Sequence, residues 1–407
     1  MIAPPLPSPD FPVALGSRAL FPDLEHAVYL NHAAISPASS LVRASVELVM
    51  ADYARRGIGA FGDWLAQKER LRAALGALLG TAMENVALTA GTTRGVLDLA
   101  FCMPWRAGDR VLCFAGEFPA NVTPWQMAAE TFGASVELLS LDGFGDGTGD
   151  GLARVEAALA RGGVRVVAVS AVQFQSGLRM PLAALATLAH AHGARLFVDA
   201  IQACGVCPLD LDADGVDYLV SGGHKWMMGL EGAGFAAIAP EAMAELVPRM
   251  AGWLSVERSV DFLLEGPDLL RYDKPVRQSP TFLEGGAYNT VGLAALEAGF
   301  EPIRQLGVDP IFAHVTAYLD ALEAGLLARG FRSARPAPLD ARSGILSVRP
   351  PGGADVLALA AALATRGVSC ATPDGWLRAA PHWPNALDEV PHVLDAVDDA
   401  LASLPHR

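Results

Sequence analysis

Asp199 and Lys225 are the residues whose types and surroundings best suit covalent chemistry on a small molecule. Two short apolar runs precede them, Leu196 to Val198 and Tyr218 to Val220. Both are rich in β-branched and aromatic residues and read as buried strands of a parallel sheet. The first delivers Asp199 at its carboxyl end; the second delivers Ser221, His224 and Lys225 just past its own. In an open α/β sheet that edge is where ligands bind. A carboxylate and an amine placed there have two readings. One is a structural ion pair at a strand end. The other is a pyridoxal phosphate site, with Asp199 keeping the pyridine nitrogen protonated and Lys225 carrying the cofactor as a Schiff base. The chain holds only three lysines, Lys68, Lys225 and Lys274, and otherwise takes its cationic charge from arginine. One of the three is kept between His224 and Trp226 in a Gly-rich, apolar stretch, where burial favours the neutral, nucleophilic amine.

The elements needed to position such a pair are legible around it. VALTAGTTRGVLDLAF, residues 86–101, runs strand, Gly-Thr-Thr turn, helix. Thr92 and Thr93 there are either an ordinary N-cap or, with the free N–H groups of the helix start, an anion cradle. VLCFAGEFPANVTPW, residues 111–125, is a strand followed by Phe118, a ring for stacking or for core packing. VRVVAVSAVQFQSG, residues 164–177, is a further central strand ending near Gln173, and Gln202 follows Asp199 by three residues. Residues 41–79 are helical apart from a Gly-rich break at 55–62. YLNHAAISP, residues 29–37, reads as a short strand entering a polar turn, and residues 141–151 as a solvated loop.

VDAIQACGVCPLDLDADGVDYLVSGGHKWMMGLEGAGF resembles the core of the class V aminotransferase family of fold-type I pyridoxal phosphate enzymes. Cysteine desulfurases, C–S lyases, isopenicillin N epimerases and kynureninases share that framework. The resemblance implies an α/β fold: a large domain with a mainly parallel sheet, plus a small C-terminal α/β domain. It implies a homodimer with both sites at the interface, the loop AGWLSVE at 251–257 capping the neighbour's pocket. It implies that Thr92 and Thr93 hold the cofactor phosphate, Phe118 stacks on the ring, and Gln202, with Gln173, meets the phenolic oxygen. Ser221 and His224 join the cofactor set. Asn31 and His32, in the entry motif, would line the substrate side. WLRAAPHWPNALDEV resembles the C-terminal motif whose arginine grips the substrate carboxylate, here Arg378, although that motif's serine is Ala380. A threonine that reaches the partner's phosphate is replaced by Ala287.

Composition bounds the rest. With 407 residues, 52% of them apolar, the chain can build two large cores. We divide it into an arm at 1–25, a cofactor domain at 26–285 and a small domain at 286–407. A net charge of −14 without a basic block argues against nucleic acid. No apolar run reads as a membrane span, and the Pro-rich start lacks a secretory pattern, so the expected address is cytoplasmic. Five cysteines make no disulfide framework. Cys204 and Cys207 form a C-x-x-C whose rival reading is a redox or zinc protein without pyridoxal phosphate; packing residues are the other reading. The expected activity is aminotransferase-like, on the α-amino group and Cα of an amino acid. The alternatives are a cysteine desulfurase or C–S lyase, or an epimerase. A desulfurase needs a mobile thiol, for which Cys370 is the candidate, but RGVSCAT reads as a strand entering a tight turn.

Overall fold

The structure, a computed structural model, describes residues 13–404; residues 1–12 of the expected arm lie outside it. A two-residue strand, Val28–Tyr29 (β1), opens the chain. The central sheet follows: Val86–Thr89 (β2), Arg110–Phe114 (β3), Ser135–Leu139 (β4), Val164–Ser170 (β5), Arg195–Asp199 (β6), Tyr218–Gly222 (β7) and Gly234–Ile238 (β8). Its order is β2-β8-β7-β6-β5-β3-β4, parallel from β7 to β4. β8 pairs antiparallel with both β7 and β2, so β2 runs with the parallel set.

Successive side chains of these strands serve opposite faces. Leu196 and Val198 join one apolar core, while Phe197 between them joins the second with Trp125 and Tyr218. That two-sided burial is why the strands read as continuous apolar runs rather than as alternating ones. It also leaves one polar edge, where β2, β5, β6 and β7 all end.

Helices Ser40–Arg56 and Phe61–Leu78 are separated by a 3-10 turn at Gly57–Ala60, the Gly-rich break expected there. Helix Thr290–Leu306 packs on this pair: Ser45 bonds the Ala294 carbonyl at 3.2 Å, and Arg70 meets Glu297 at 3.0 Å. Although it lies past residue 286, this helix thus rests on the large domain. The small domain holds Arg332–Ser333 (β9), Leu346–Arg349 (β10), Val368–Ser369 (β11) and Leu377–Ala379 (β12), with β12-β10-β9 forming an antiparallel sheet. β1 pairs in parallel with β11, and Asn31 bridges to Ala380, so the segment at 28–31 belongs with these late strands. Helix Val308–Ala328 has the length and mean hydropathy, 1.3, of a membrane span, which was not apparent from the sequence. Its Ile311, Val315, Leu319, Leu322 and Leu326 stripe is buried at helical spacing in the protein core.

Candidate active site

A cavity of about 930 Å3 opens at the carboxyl edge of the sheet, walled in part by Thr92, Phe118, Asp199, Gln202, Lys225 and Arg378. β6 ends in Asp199, which is 1% exposed and accepts the Ile201 amide at 3.0 Å. Burial pushes its carboxyl up to about 7; the charge of Glu117 adds to the rise, while the Ile201 amide and Lys225 oppose it. Lys225 follows β7 through the Gly222-Gly223-His224 turn. Burial pulls its ammonium down to about 8, Arg378 works in the same direction, and Asp199 opposes. Its Nζ stands 5.6 Å from the centroid of the Phe118 ring, which meets Phe174 edge-to-face at 5.3 Å. His224 also lines the cavity; burial and then Lys225 hold its imidazole below the usual range.

At the β2 end, helix Thr92–Cys102 starts after Gly91, whose φ of 133° suits glycine. A Cβ on Gly234 would meet the Gly91 Cα at 2.7 Å, so glycine there lets β8 support the turn from behind. The first N–H groups of a helix have no intrahelical partner, and the buried Thr92 hydroxyl has none either. Thr93 lines the cavity beside it. A phosphate satisfies all of these donors together. A buried carboxylate with one backbone donor, as at Asp199, calls for a cation such as a pyridinium. These residues therefore fit pyridoxal phosphate.

The remaining expected residues divide. Gln202 is on the wall; it donates to the Ala33 carbonyl at 3.0 Å, accepts from Trp226 at 2.8 Å, and keeps one amide hydrogen for a ligand. Gln173 is not on the wall. Its amide nitrogen donates to Glu117 at 2.8 Å. Ser221 lies behind the wall, its hydroxyl directed to the Gly222 carbonyl at 3.3 Å. Residues 33–35 line the cavity, whereas Asn31 and His32 do not. His32 is buried against the Ser36 hydroxyl at 2.8 Å and edge-on to His382 at 5.5 Å.

Arg378, on β12, is 5% exposed. Its Nη1 donates to the Phe174 carbonyl at 2.8 Å, its Nε has no partner, and no carboxylate pairs with it among the described residues. Burial pulls the guanidinium down to about 10. A buried, unpaired guanidinium on a cavity wall is a receptor for a carboxylate.

Glu117 was not singled out from the sequence. Its carboxylate takes the Ser170 amide at 2.7 Å, the Ser170 hydroxyl, Gln173, and Asn121 at 3.2 Å. An acid just past a central strand, in VLCFAGEF, was the available signal. Cys370 packs against the core, and burial pushes its thiol up to about 12. Cys204 and Cys207 are core residues whose thiols burial likewise raises, to about 12 and about 11. No group of three His, Cys, Asp or Glu side chains fit to hold a metal occurs among the described residues.

Residues 28–379 match the family model for aminotransferase class V. Cysteine desulfurases of Escherichia coli (strain SE11) and Shigella flexneri are 31% identical over 313 residues, 72% of this chain and 72% of each relative. Among solved structures, the cystine C–S lyase C-DES with its product cysteine persulfide has a TM-score of 0.84 at 22% identity, covering 93% of this chain and 99% of that one. The cysteine desulfurase CsdA of Escherichia coli gives 0.81 at 24%, covering 95% and 98%. The structural likeness speaks to the fold, the family model to descent. With a phosphate cradle, a buried carboxylate and a depressed lysine at one sheet edge, the chain belongs to the class V aminotransferase family and is a pyridoxal phosphate-dependent enzyme.

Proposed function

We propose that this enzyme breaks the carbon–sulfur bond of a cysteine-type amino acid. The observation that carries the amino-acid part is the unpaired, buried Arg378 facing the same cavity as Lys225. The sulfur part rests on relatives over most of the chain that are cysteine desulfurases. The aminotransferase-like expectation gives way here to its C–S alternative.

Bound here, pyridoxal phosphate supplies an electron sink for charge developing at the substrate Cα. The Thr92 and Thr93 helix start holds its phosphate, and ionised Asp199 keeps its ring nitrogen protonated. Arg378 takes the substrate carboxylate by parallel hydrogen bonds and so fixes Cα. The depressed basicity of Lys225 leaves a neutral amine near pH 8, able to remove the Cα proton. In elimination, the electron pair of the Cβ–S bond would leave on sulfur. Phe118 carries no proton, so the protonated Lys225 is placed to give one back to the sulfur.

Two outcomes then differ in their products. Elimination converts cysteine and water to pyruvate, ammonia and hydrogen sulfide. Desulfuration instead has a protein thiolate attack the substrate sulfur, so that the Cβ–S electron pair stays with carbon, which takes up protons to become alanine, and the thiol becomes a persulfide. The protonated, core-packed Cys370 supports elimination; the 31% identical desulfurases favour the second reading. Incubating the holoenzyme with L-cysteine and quantifying pyruvate against alanine separates them. Alanine with a persulfide on Cys370 establishes desulfuration. Keto-acid-dependent transamination without sulfide would exclude both. A homodimer belongs to the same reading, since Phe118 and Ile35 at the cavity are 46% and 48% exposed in the single chain. Sedimentation tests the dimer.

A further inference from the structure

The side-chain amide of Gln202 is held at both ends. Its Nε2 donates to the Ala33 carbonyl at 3.0 Å, and its Oε1 accepts the indole N–H of Trp226 at 2.8 Å. A carbonyl can only accept and an indole N–H can only donate, so turning the amide over would lose both bonds. The Ala33 bond by itself leaves the amide free to turn about that contact. The bond to the indole fixes its plane, and with it the direction of the one hydrogen that Nε2 has left at the cavity wall.

Trp226 is itself held in place. It is fully buried. A Cβ on Gly344 would stand 3.1 Å from its ring, and one on Gly205 would stand 2.6 Å from its carbonyl oxygen. Both glycines therefore leave room for this residue and little more. The same carbonyl accepts from His382 at 2.8 Å. An indole N–H in such a place is costly without an acceptor, so the bond to Gln202 satisfies Trp226 as well.

The cofactor has one polar group that the other residues leave over. On its pyridine ring, the phosphate arm and the phenolic oxygen flank the carbon that joins the lysine. The Thr92 and Thr93 turn takes the phosphate, Lys225 the carbon, and Asp199 the ring nitrogen. The phenolic oxygen then needs a donor, and the free hydrogen of Gln202 needs an acceptor. Gln202 is three residues past Asp199, and Ile201 between them donates its amide to the Asp199 carboxylate at 3.0 Å.

We infer that Trp226 is a positioning residue for the cofactor: its indole N–H locks the Gln202 amide so that the one free N–H meets the phenolic oxygen of pyridoxal phosphate. Because Trp226 follows Lys225 directly, one stretch of backbone sets both the lysine and this donor. The inference depends on bound pyridoxal phosphate and not on which substrate bond is broken, so its failure and that of C–S cleavage are separate.

A donor at that oxygen favours its ionised form. The test therefore reads the pH midpoint of the bound cofactor's absorbance, in holoenzyme without substrate. Trp226→Phe keeps an aromatic ring without the N–H. The midpoint should move up by about half a unit to one unit, the effect of one lost hydrogen bond. Gln202→Met, which removes the donor itself, should give an upward shift at least as large. The double variant should shift no further than Gln202→Met, because Trp226 acts through Gln202. Placing at position 226 the tryptophan analogue with sulfur for the ring N–H preserves the shape, and it should reproduce the Trp226→Phe shift even if the smaller ring disturbs folding. An unmoved midpoint with that analogue, or shifts of Trp226→Phe and Gln202→Met that add, would overturn the inference. So would an unmoved midpoint in Gln202→Met, since the free hydrogen would then not reach the oxygen.

Discussion

At Arg378 the chain keeps a cation in the core with one carbonyl for company, a costly arrangement unless a ligand completes it. Arg378→Ala should therefore bind amino acids far more weakly. Two charge-assisted bonds lost at about 1.5–3 kcal/mol each predict a rise in KM of two orders of magnitude or more. Steady-state kinetics on the holoenzyme measures it, and Arg378→Lys should recover only part of the loss. The Asp199 and Lys225 pair makes a separate prediction for the apoenzyme. Asp199 binds its proton more tightly in the folded chain than in the unfolded one, so stability falls as pH rises from the ordinary carboxylate range to about 7. Lys225 binds its proton less tightly when folded, so its contribution grows as pH rises from about 8 toward the ordinary lysine value. The denaturation midpoint of the apoenzyme should dip between these limits, and Asp199→Asn should remove the fall on the acid side. A midpoint flat across the range in both proteins would contradict the assignment.

Among the elements, helix Thr92–Cys102 is the one whose position the cofactor phosphate depends on. It lies close to the sheet because Gly95 leaves space: a Cβ there would stand 2.8 Å from Val220 Cγ1 on β7. Gly95→Val should lift the helix start away from the sheet, costing about 1–3 kcal/mol by overpacking. Pyridoxal phosphate affinity should fall tenfold or more, as read by cofactor titration. The strands and helices that carry this arrangement were legible in the sequence because their signals are local. The apolar runs before Asp199 and Ser221 and the Gly-Thr-Thr turn became the elements expected, and the Gly-rich break read at 55–62 became a shorter turn at Gly57–Ala60. Side-chain directions were not legible in the same way. Gln173 turns from the cavity because Glu117, fifty-six positions earlier, captures its amide. Ser36 likewise holds the His32 ring behind the wall. Neither contact has a periodicity to betray it.

Across the whole molecule, the reactive lysine and the carboxylate-binding arginine come from different domains, and one buried histidine is among the contacts that join them. His382 follows β12, and burial depresses its imidazole to about 4, so it is neutral. The Trp383 amide donates to Nδ1 at 2.7 Å, which puts the hydrogen on Nε2, facing the Trp226 carbonyl at 2.8 Å. Trp226 is the residue after Lys225. His382→Ala would strand that carbonyl at a cost of about 1–3 kcal/mol and loosen Arg378 relative to Lys225. Both kcat and KM should worsen while cofactor affinity stays within a few-fold, since the phosphate turn and Asp199 lie in the other domain. A second link between the two ends of the chain, the pairing of β1 with β11, was not legible in the sequence, because each strand is two residues long.

The pairing of β1 with β11 also bears on how the site comes into being. Val28 waits for Val368, Asn31 for Ala380, and the Tyr29 carbonyl for Asn385, which lies 356 positions away. Contacts so distant along the chain form slowly, because a long loop must close before any of them is rewarded. The central sheet, with Asp199, Lys225 and the phosphate turn, needs none of them. During synthesis or refolding, the enzyme should therefore capture pyridoxal phosphate before it can grip a carboxylate. A stopped-flow refolding experiment should show cofactor binding ahead of substrate recognition, the interval marking the arrival of the last strands.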